Sequence, residues 1–242
     1  PDDLKEEAEA LRGTMIEGIA ESSDQLLEKY LEGATLSPEE IMTGLTQGIQ
    51  SCSLVPVLCG SAINNIGVHQ LLNLITTCYP SPAERPFKGV NPATKGEEQR
   101  SAGKDSALSL YVFKTVADPY AGKLTLFRVV SGVLNSDSSV YNATKGCKER
   151  IGQILKIEGK SQKAFNPAIA GDIAAVAKLK ETGTGDSLCD EKSPFIINRA
   201  PVPEPVMQLA LEPKSKGDED KLISSLAKLM EEDSTLRTRR DE

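Results

Sequence analysis

Between Ser106 and Leu179 the chain breaks into short runs of β-branched and aromatic residues, with glycine at most of the breaks. The runs are Leu108–Val116, Lys123–Val130, Ser139–Tyr141, Ile151–Lys156 and Ile173–Leu179. Gly122, Gly132, Gly146, Gly171 and Gly183-Thr184-Gly185 punctuate them. Many short strands at such close spacing predict a small antiparallel barrel. Two proline-rich breaks flank it. Tyr79-Pro80-Ser81-Pro82 opens a linker rich in Pro, Gly and charge up to about Lys104, and Pro201-Val202-Pro203-Glu204-Pro205 follows the barrel.

Before the first break the period is helical. Leu4, Ala8, Leu11, Met15 and Ile19 recur among acids, and Leu26, Leu27 and Tyr30 form a shorter stripe ending near Gly33. Ser37-Pro38-Glu39-Glu40 reads as a helix start: Ser37 as N-cap, Pro38 at the first position, Glu40 closing the capping box. Ile41, Leu45 and Ile49 are its predicted buried stripe. Val55–Leu58 predicts a buried strand that empties through Gly60-Ser61-Ala62 into a helix carrying Val68, Leu71, Leu72 and Ile75. A strand running through small residues into a helix is how α/β proteins build a ligand edge. After Pro205 the pattern predicts one strand, Val206–Leu211, and one helix with Leu222, Leu226 and Leu229 on a face and Asp218 at its N-cap. Such a unit cannot bury its apolar face alone, so the sequence reads as a piece of a longer protein.

With 242 residues the chain can hold one large or two smaller domains. No apolar run approaches membrane-spanning length. Five scattered cysteines without a C-x-x-C pair favour a reducing cytosol over a disulfide framework or a zinc site. The net charge of −7 is uneven: residues 1–50 carry twelve acids against three bases, and residues 51–242 carry 25 bases against 23 acids. That balance argues against non-specific adhesion to polyanions.

Catalytic chemistry finds no pattern here. His69, the one histidine, lies beside an apolar helix face and reads as a half-exposed helix residue. There is no H-E-x-x-H, no G-x-S-x-G and no clustered Cys/His set. Gly159-Lys160-Ser161 lacks the upstream glycine of a phosphate loop, because Ile154 stands there, and reads as a basic loop. Two places leave alternatives open. Lys145, Lys148, Arg150, Lys156, Lys160 and Lys163 outnumber Glu149 and Glu158 in the barrel region. Lysines on a solvated edge deter strand-to-strand aggregation; the functional alternative is contact with RNA phosphates. Gly60-Ser61-Ala62 is either a tight turn that needs small residues or a base contact. In the second case the Ala62 N–H donates to a guanine carbonyl while the Ser61 hydroxyl braces the loop.

Taken in order, several blocks resemble bacterial elongation factor G. They include Lys29–Gly33 with Ser37–Glu40, Pro56–Ala62 with Asn65, Gly67-Val68 and Leu71-Leu72, and Tyr79–Pro82. The barrel continues them as Phe113-Lys114, Ala117–Tyr120, Gly122–Leu124, Arg128-Val129, Ser131-Gly132, Tyr141-Asn142, Thr144–Gly146 and Lys148–Arg150. Ala170–Asp172, Leu179–Thr182, Thr184–Asp186, Pro203–Val206, Glu212–Lys214 and Glu231–Asp233 complete the series.

The resemblance implies a multidomain α/β plus all-β fold. Residues 1–85 are expected to close a P-loop GTPase domain, with a helical insertion over about 1–50. Residues 86–200 are expected to form the domain II β-barrel, and residues 201–242 to open a truncated ferredoxin-like third domain. It implies a cytoplasmic, ribosome-dependent translational GTPase whose intact form binds GTP or GDP with Mg and moves tRNA and messenger by one codon. Its implied partners are ribosomal RNA and stalk proteins, with no membrane and no DNA. Ser61, Ala62 and Ile63 are the implied nucleotide contacts, and Lys145, Lys148 and Arg150 the RNA-contact candidates. No catalytic or metal residue is expected within this chain, because the phosphate loop, switch segments and Asn-Lys-x-Asp motif of the family precede the matched blocks. The piece alone is therefore expected to be inactive and to hold no nucleotide.

There are departures from the family. Ile63 stands where Leu or Lys is common, and Ile157-Glu158-Gly159-Lys160 replaces the usual Met-His-Ala-Asn. These point to a divergent paralogue. A non-hydrolysing, ribosome-protecting or recycling relative that works as a ribosome-binding module is the alternative.

Overall fold

Local signals set the helix ends in the first unit of the chain, residues 1–81. Its helices are α1 (Lys5–Ala20), α2 (Asp24–Leu31), α3 (Pro38–Gln50) and α4 (Val68–Cys78). Gly33, at φ +78°, turns the chain out of α2. The capping box at α3 is complete: Ser37 Oγ accepts the Glu40 N–H at 3.2 Å, and the Glu40 carboxylate accepts the Ser37 N–H at 2.8 Å. Lys29 donates to both Glu40 oxygens at 2.6 and 2.8 Å, tying α2 to the start of α3. Ala20, Leu26 and Leu36 form a small core, flanked by Ile16, Tyr30 and Ile41. On α3 only Ile49 of the predicted stripe is fully buried; α2 approaches closely at Gly44, where a Cβ would meet Leu26 Cδ1 at 2.7 Å.

The computed structural model describes residues 2–118, 122–198, 201–213 and 215–239. Two expected strands are absent from it. Val55–Leu58 has no ladder partner, and Val55 and Val57 are 83% and 90% exposed. Val206–Leu211 is likewise unpaired and exposed. An apolar run becomes a strand only when a neighbour accepts its N–H groups, and no described strand lies beside either segment. Leu71, Leu72 and Ile75 on α4 are exposed for the same reason: nothing described in their unit covers them.

The second unit, residues 82–242, is built on strands. They are β1 (Phe87–Val90), β2 (Glu97–Arg100), β3 (Ser109–Asp118), β4 (Gly122–Ser131), β5 (Val133–Leu134), β6 (Ser139–Asn142) and β7 (Cys147–Arg150). There follow β8 (Ile154–Glu158), β9 (Ser161–Ala164), β10 (Ala168–Ile169), β11 (Ile173–Ala177), β12 (Ser187–Cys189) and β13 (Ile196–Ile197), then helix α5 (Glu219–Glu232). One antiparallel sheet of eight strands runs β7-β6-β12-β3-β4-β11-β8-β9. Its core gathers Val140 of β6, Leu110 and Val112 of β3, Phe127 and Val129 of β4, Val176 of β11 and Ile154 of β8 into one cluster. A flat sheet could not bring β6 and β8, five strands apart, onto a common core, so the sheet curls around it. β5 pairs with β10 beside it.

The expected linker is partly structured. β1 pairs with β2 and with β13, so the region before Lys104 holds a hairpin. Arg100 fastens it: the guanidinium stacks 4.5 Å over Phe195 and donates to Ser109 Oγ and to the Ser193 hydroxyl and carbonyl. At α5 the chain has Asp218 in the N-cap position, yet the residue is helical and caps no N–H; its carboxylate accepts from Ser215 Oγ at 2.8 Å instead. Among the described residues no helix is long and apolar enough to cross a membrane.

Candidate functional site

Ser61 and Ile66 close a small loop by a two-way backbone bond. The Ser61 N–H donates to the Ile66 carbonyl at 2.9 Å, and the Ile66 N–H to the Ser61 carbonyl at 3.0 Å. Inside the loop the Asn65 N–H reaches the Ala62 carbonyl at 3.3 Å, and the Asn64 N–H reaches Ser61 Oγ at 3.4 Å. Gly67 then turns the chain into α4 at φ +76°, where a Cβ would lie 2.6 Å from the Cys59 carbonyl oxygen. A tight exit of this kind admits only glycine. The result holds Ala62 and Ile63 outward, with Ile63 98% exposed. Among the described residues the Ala62 N–H has no protein acceptor. An exposed backbone donor at the tip of a braced loop can meet a planar acceptor edge without rearrangement.

The basic run is divided by the fold. Lys145, Lys148 and Arg150 belong to the β6–β7 hairpin, and Lys156, Lys160 and Lys163 to the β8–β9 hairpin, at the two ends of the strand order. On β7 the side chains alternate: Lys148 and Arg150 are exposed, while Glu149 between them is buried. Lys148 pairs with Glu191 at 2.7 Å. Lys145 is held by Asp186 at 3.4 Å and by the Glu181 carbonyl. Glu158 lies between Lys156 at 3.3 Å and Lys163 at 2.8 Å. Its carboxyl is held below the ordinary value, first by the hydrogen bond from Lys163 and then by Lys156.

Glu149, which the sequence reading counted only against the lysines, and Asp186 do the internal work. Glu149 accepts the Glu181 N–H at 2.7 Å and the Thr182 N–H at 2.9 Å. Asp186 accepts from Asn142 Nδ2 at 3.0 Å and from the Gly183 N–H at 2.9 Å. Two buried carboxylates thus fix the 180–186 loop against the β6–β7 hairpin, where a count of charges would use Glu149 as a counter-ion. The period-two alternation of Lys148, Glu149 and Arg150 was the available signal. His69 is exposed on α4, and among the described residues no cluster of His, Cys, Asp and Glu could hold a metal ion.

Residues 107–191 match the family model for elongation factor G domain 2, and residues 202–242 that for elongation factor G domain III. Together the two matches take in more than half of the chain. A crystal structure of a protein from Thermus thermophilus is similar over 100% of this chain and 34% of its own, at 31% identity and a TM-score of 0.74. The chain therefore spans about a third of the length of that relative.

Proposed function

Because this chain belongs to the elongation factor G family, we propose that it carries a base-reading corner and the ribosome-facing barrel of a translational GTPase. In this reading residues 1–85 close the GTPase domain, 86–200 form domain II and 201–242 open domain III. The intact factor binds GTP, hydrolyses it on the ribosome and moves tRNA and messenger by one codon.

The observation that carries the proposal is the unengaged Ala62 N–H at the tip of the Ser61–Ile66 loop. Guanine presents a carbonyl acceptor where adenine presents an amino donor. A donor facing a donor leaves a hydrogen bond unmade, and a desolvated unmade bond costs about 1–3 kcal/mol. Ser61 braces the loop and Ile63 covers the base with an apolar face.

Lys148 and Arg150, on the outward face of β7, would meet RNA phosphates; Lys145, at the neighbouring turn, is held by Asp186 and the Glu181 carbonyl and would first have to leave them. Such contacts position the factor without reading sequence. The acidic helices α1 to α3 would meet basic residues of the ribosomal stalk, an arrangement that speeds encounter more than it adds affinity.

The test is a titration of the full-length protein with fluorescent GDP, followed by ribosome-stimulated phosphate release. Binding of GDP that the Ala62→Pro variant weakens about tenfold, with phosphate release on ribosomes, is the expected result. A full-length protein that binds ribosomes yet ignores GDP would establish the alternative, a non-hydrolysing ribosome-binding or ribosome-protecting relative.

A further inference from the structure

Past Val112 the outer edge of β3 loses its strand partner. β12 pairs with β3 only over Ser109–Tyr111, and the next bonds on that side link Val112 to Gly185 and Asp186. From Lys114 to Asp118 the ladder runs to β4 alone. An open strand edge presents unpaired amides. Here α5 covers one of them: Glu232 Oε1 accepts the Ala117 N–H at 2.6 Å. The preceding residue, Glu231, places Oε1 3.5 Å from Lys123 Nζ. Ala117 and Lys123 are direct partners across the β3–β4 ladder. Two consecutive glutamates therefore grip both strands of one hairpin at a single rung.

The helix needs that grip. Glu231 and Glu232 are its last two residues, with no basic residue in the final turn. Carboxylates there face the negative end of the helix dipole, so an ammonium and an amide donor relieve them. Apolar packing is incomplete: α5 has no fully buried residue, Leu222 and Leu226 are half-buried, and Ile223, Leu229 and Met230 are 55%, 49% and 37% exposed. A cleft of about 390 Å³ beside the contact is lined by Lys123, Lys145, Lys180, Glu181 and Glu231. Two of its three ammoniums are already taken, Lys123 by Glu231 and Lys145 by Asp186. That leaves Lys180 as the one cleft ammonium without an ion pair in the described residues, and a single exposed lysine does not make an anion site.

We infer that Glu231 and Glu232 form an electrostatic clasp that seats α5 reversibly on the β3–β4 hairpin. Its release frees the helix and the β3 edge together while the barrel stays folded. The clasp is independent of the nucleotide reading above, since no residue of the Ser61–Ile66 loop takes part. Its strength falls with ionic strength, because the ion pair is partly exposed.

Amide hydrogen exchange on the whole chain tests the clasp. In the Glu232→Ala variant the Ala117 amide is expected to exchange about tenfold faster, while Val129 in the core of β4 is unchanged. Lys123→Glu speeds Ala117 as well, and the swap Lys123→Glu with Glu231→Lys restores it. High salt acts on Ala117 alone. Equal Ala117 exchange in the native chain and Glu232→Ala, or a swap that restores nothing, overturns the clasp. So does Val129 accelerating in step, which would mean that these residues hold up the barrel.

Discussion

Glu149 and Thr182 share two hydrogen bonds on one oxygen: Glu149 Oε1 accepts the Thr182 N–H at 2.9 Å and its hydroxyl at 3.1 Å. Glu149 is 6% exposed and Thr182 fully buried. With the Glu181 N–H at 2.7 Å, these bonds pin the 180–186 loop to β7. A buried carboxylate persists only where donors replace its hydration.

Acid should loosen this loop before the rest of the barrel. Burial pushes the Glu149 carboxyl up, but the amides of Glu181 and Thr182, the Thr182 hydroxyl and the Lys180 amide outweigh it, leaving the value below the ordinary range. A lowered folded value means that the stabilisation is complete above the unfolded carboxylate value of about 4.3 and is lost as pH falls through the folded value. Thermal unfolding followed from pH 7 to pH 3 should show this decline. Glu149→Gln should cost about 2 kcal/mol at pH 7 and flatten that part of the profile. A variant with the native pH dependence would count against the assignment.

Gly132→Ala should destabilise the barrel by more than about 2 kcal/mol. Gly132 has φ +76°, and its added Cβ would lie 2.8 Å from Leu108 Cα and from the Ser106 carbonyl oxygen. Backbone atoms cannot swing aside as a side chain can. Gly159→Ala serves as the comparison, since Gly159 has φ +60° but nothing within 4 Å. Calorimetry should show a drop of about 5 °C or more for the first variant and a smaller one for the second.

Arg100→Lys should not behave as a conservative change. Lysine keeps the charge but loses the planar fork that donates to Ser109 and Ser193 while stacking on Phe195. A loss of about 2 kcal/mol is expected. It should appear as faster exchange of the β1 and β2 amides with little change in β4. Uniform exchange across both regions would show that Arg100 does not anchor the hairpin.

Gly67→Ala should displace the Ser61–Ile66 loop, because the new Cβ meets the Cys59 carbonyl oxygen at 2.6 Å. In the full-length factor the expected outcome is about tenfold weaker GDP binding, with α4 still helical by circular dichroism. Unchanged affinity would remove the loop from the nucleotide site.

Some of this fold was legible residue by residue. The capping box at Ser37 and Glu40, the exit at Gly33 and the longer strands β3, β4 and β11 follow from short-range rules. The shortest strands escaped: β5, β10 and β13 have two residues each, too few to show a period. Glu97-Glu98-Gln99-Arg100 reads as a polar loop, and its β structure comes from pairing with β1. The error ran the other way at Val55–Leu58 and Val206–Leu211, where strand-like composition found no ladder. In the candidate loop both the tight turn and an Ala62 N–H donor were read from the sequence as alternatives; that this N–H has no protein acceptor among the described residues came from the structure.

The turn at Gly33, the capping box at Ser37 and Glu40 and the alternation along β7 are properties of neighbouring residues, so the sequence by itself determined them. Which charges stay in water was decided only by tertiary structure. Glu149 meets its donors 31 to 33 positions away, and Lys145 meets Asp186 across the same fold. Desolvation and the donors that offset it arise from surfaces brought together after the chain has curled, and no local pattern specifies that meeting.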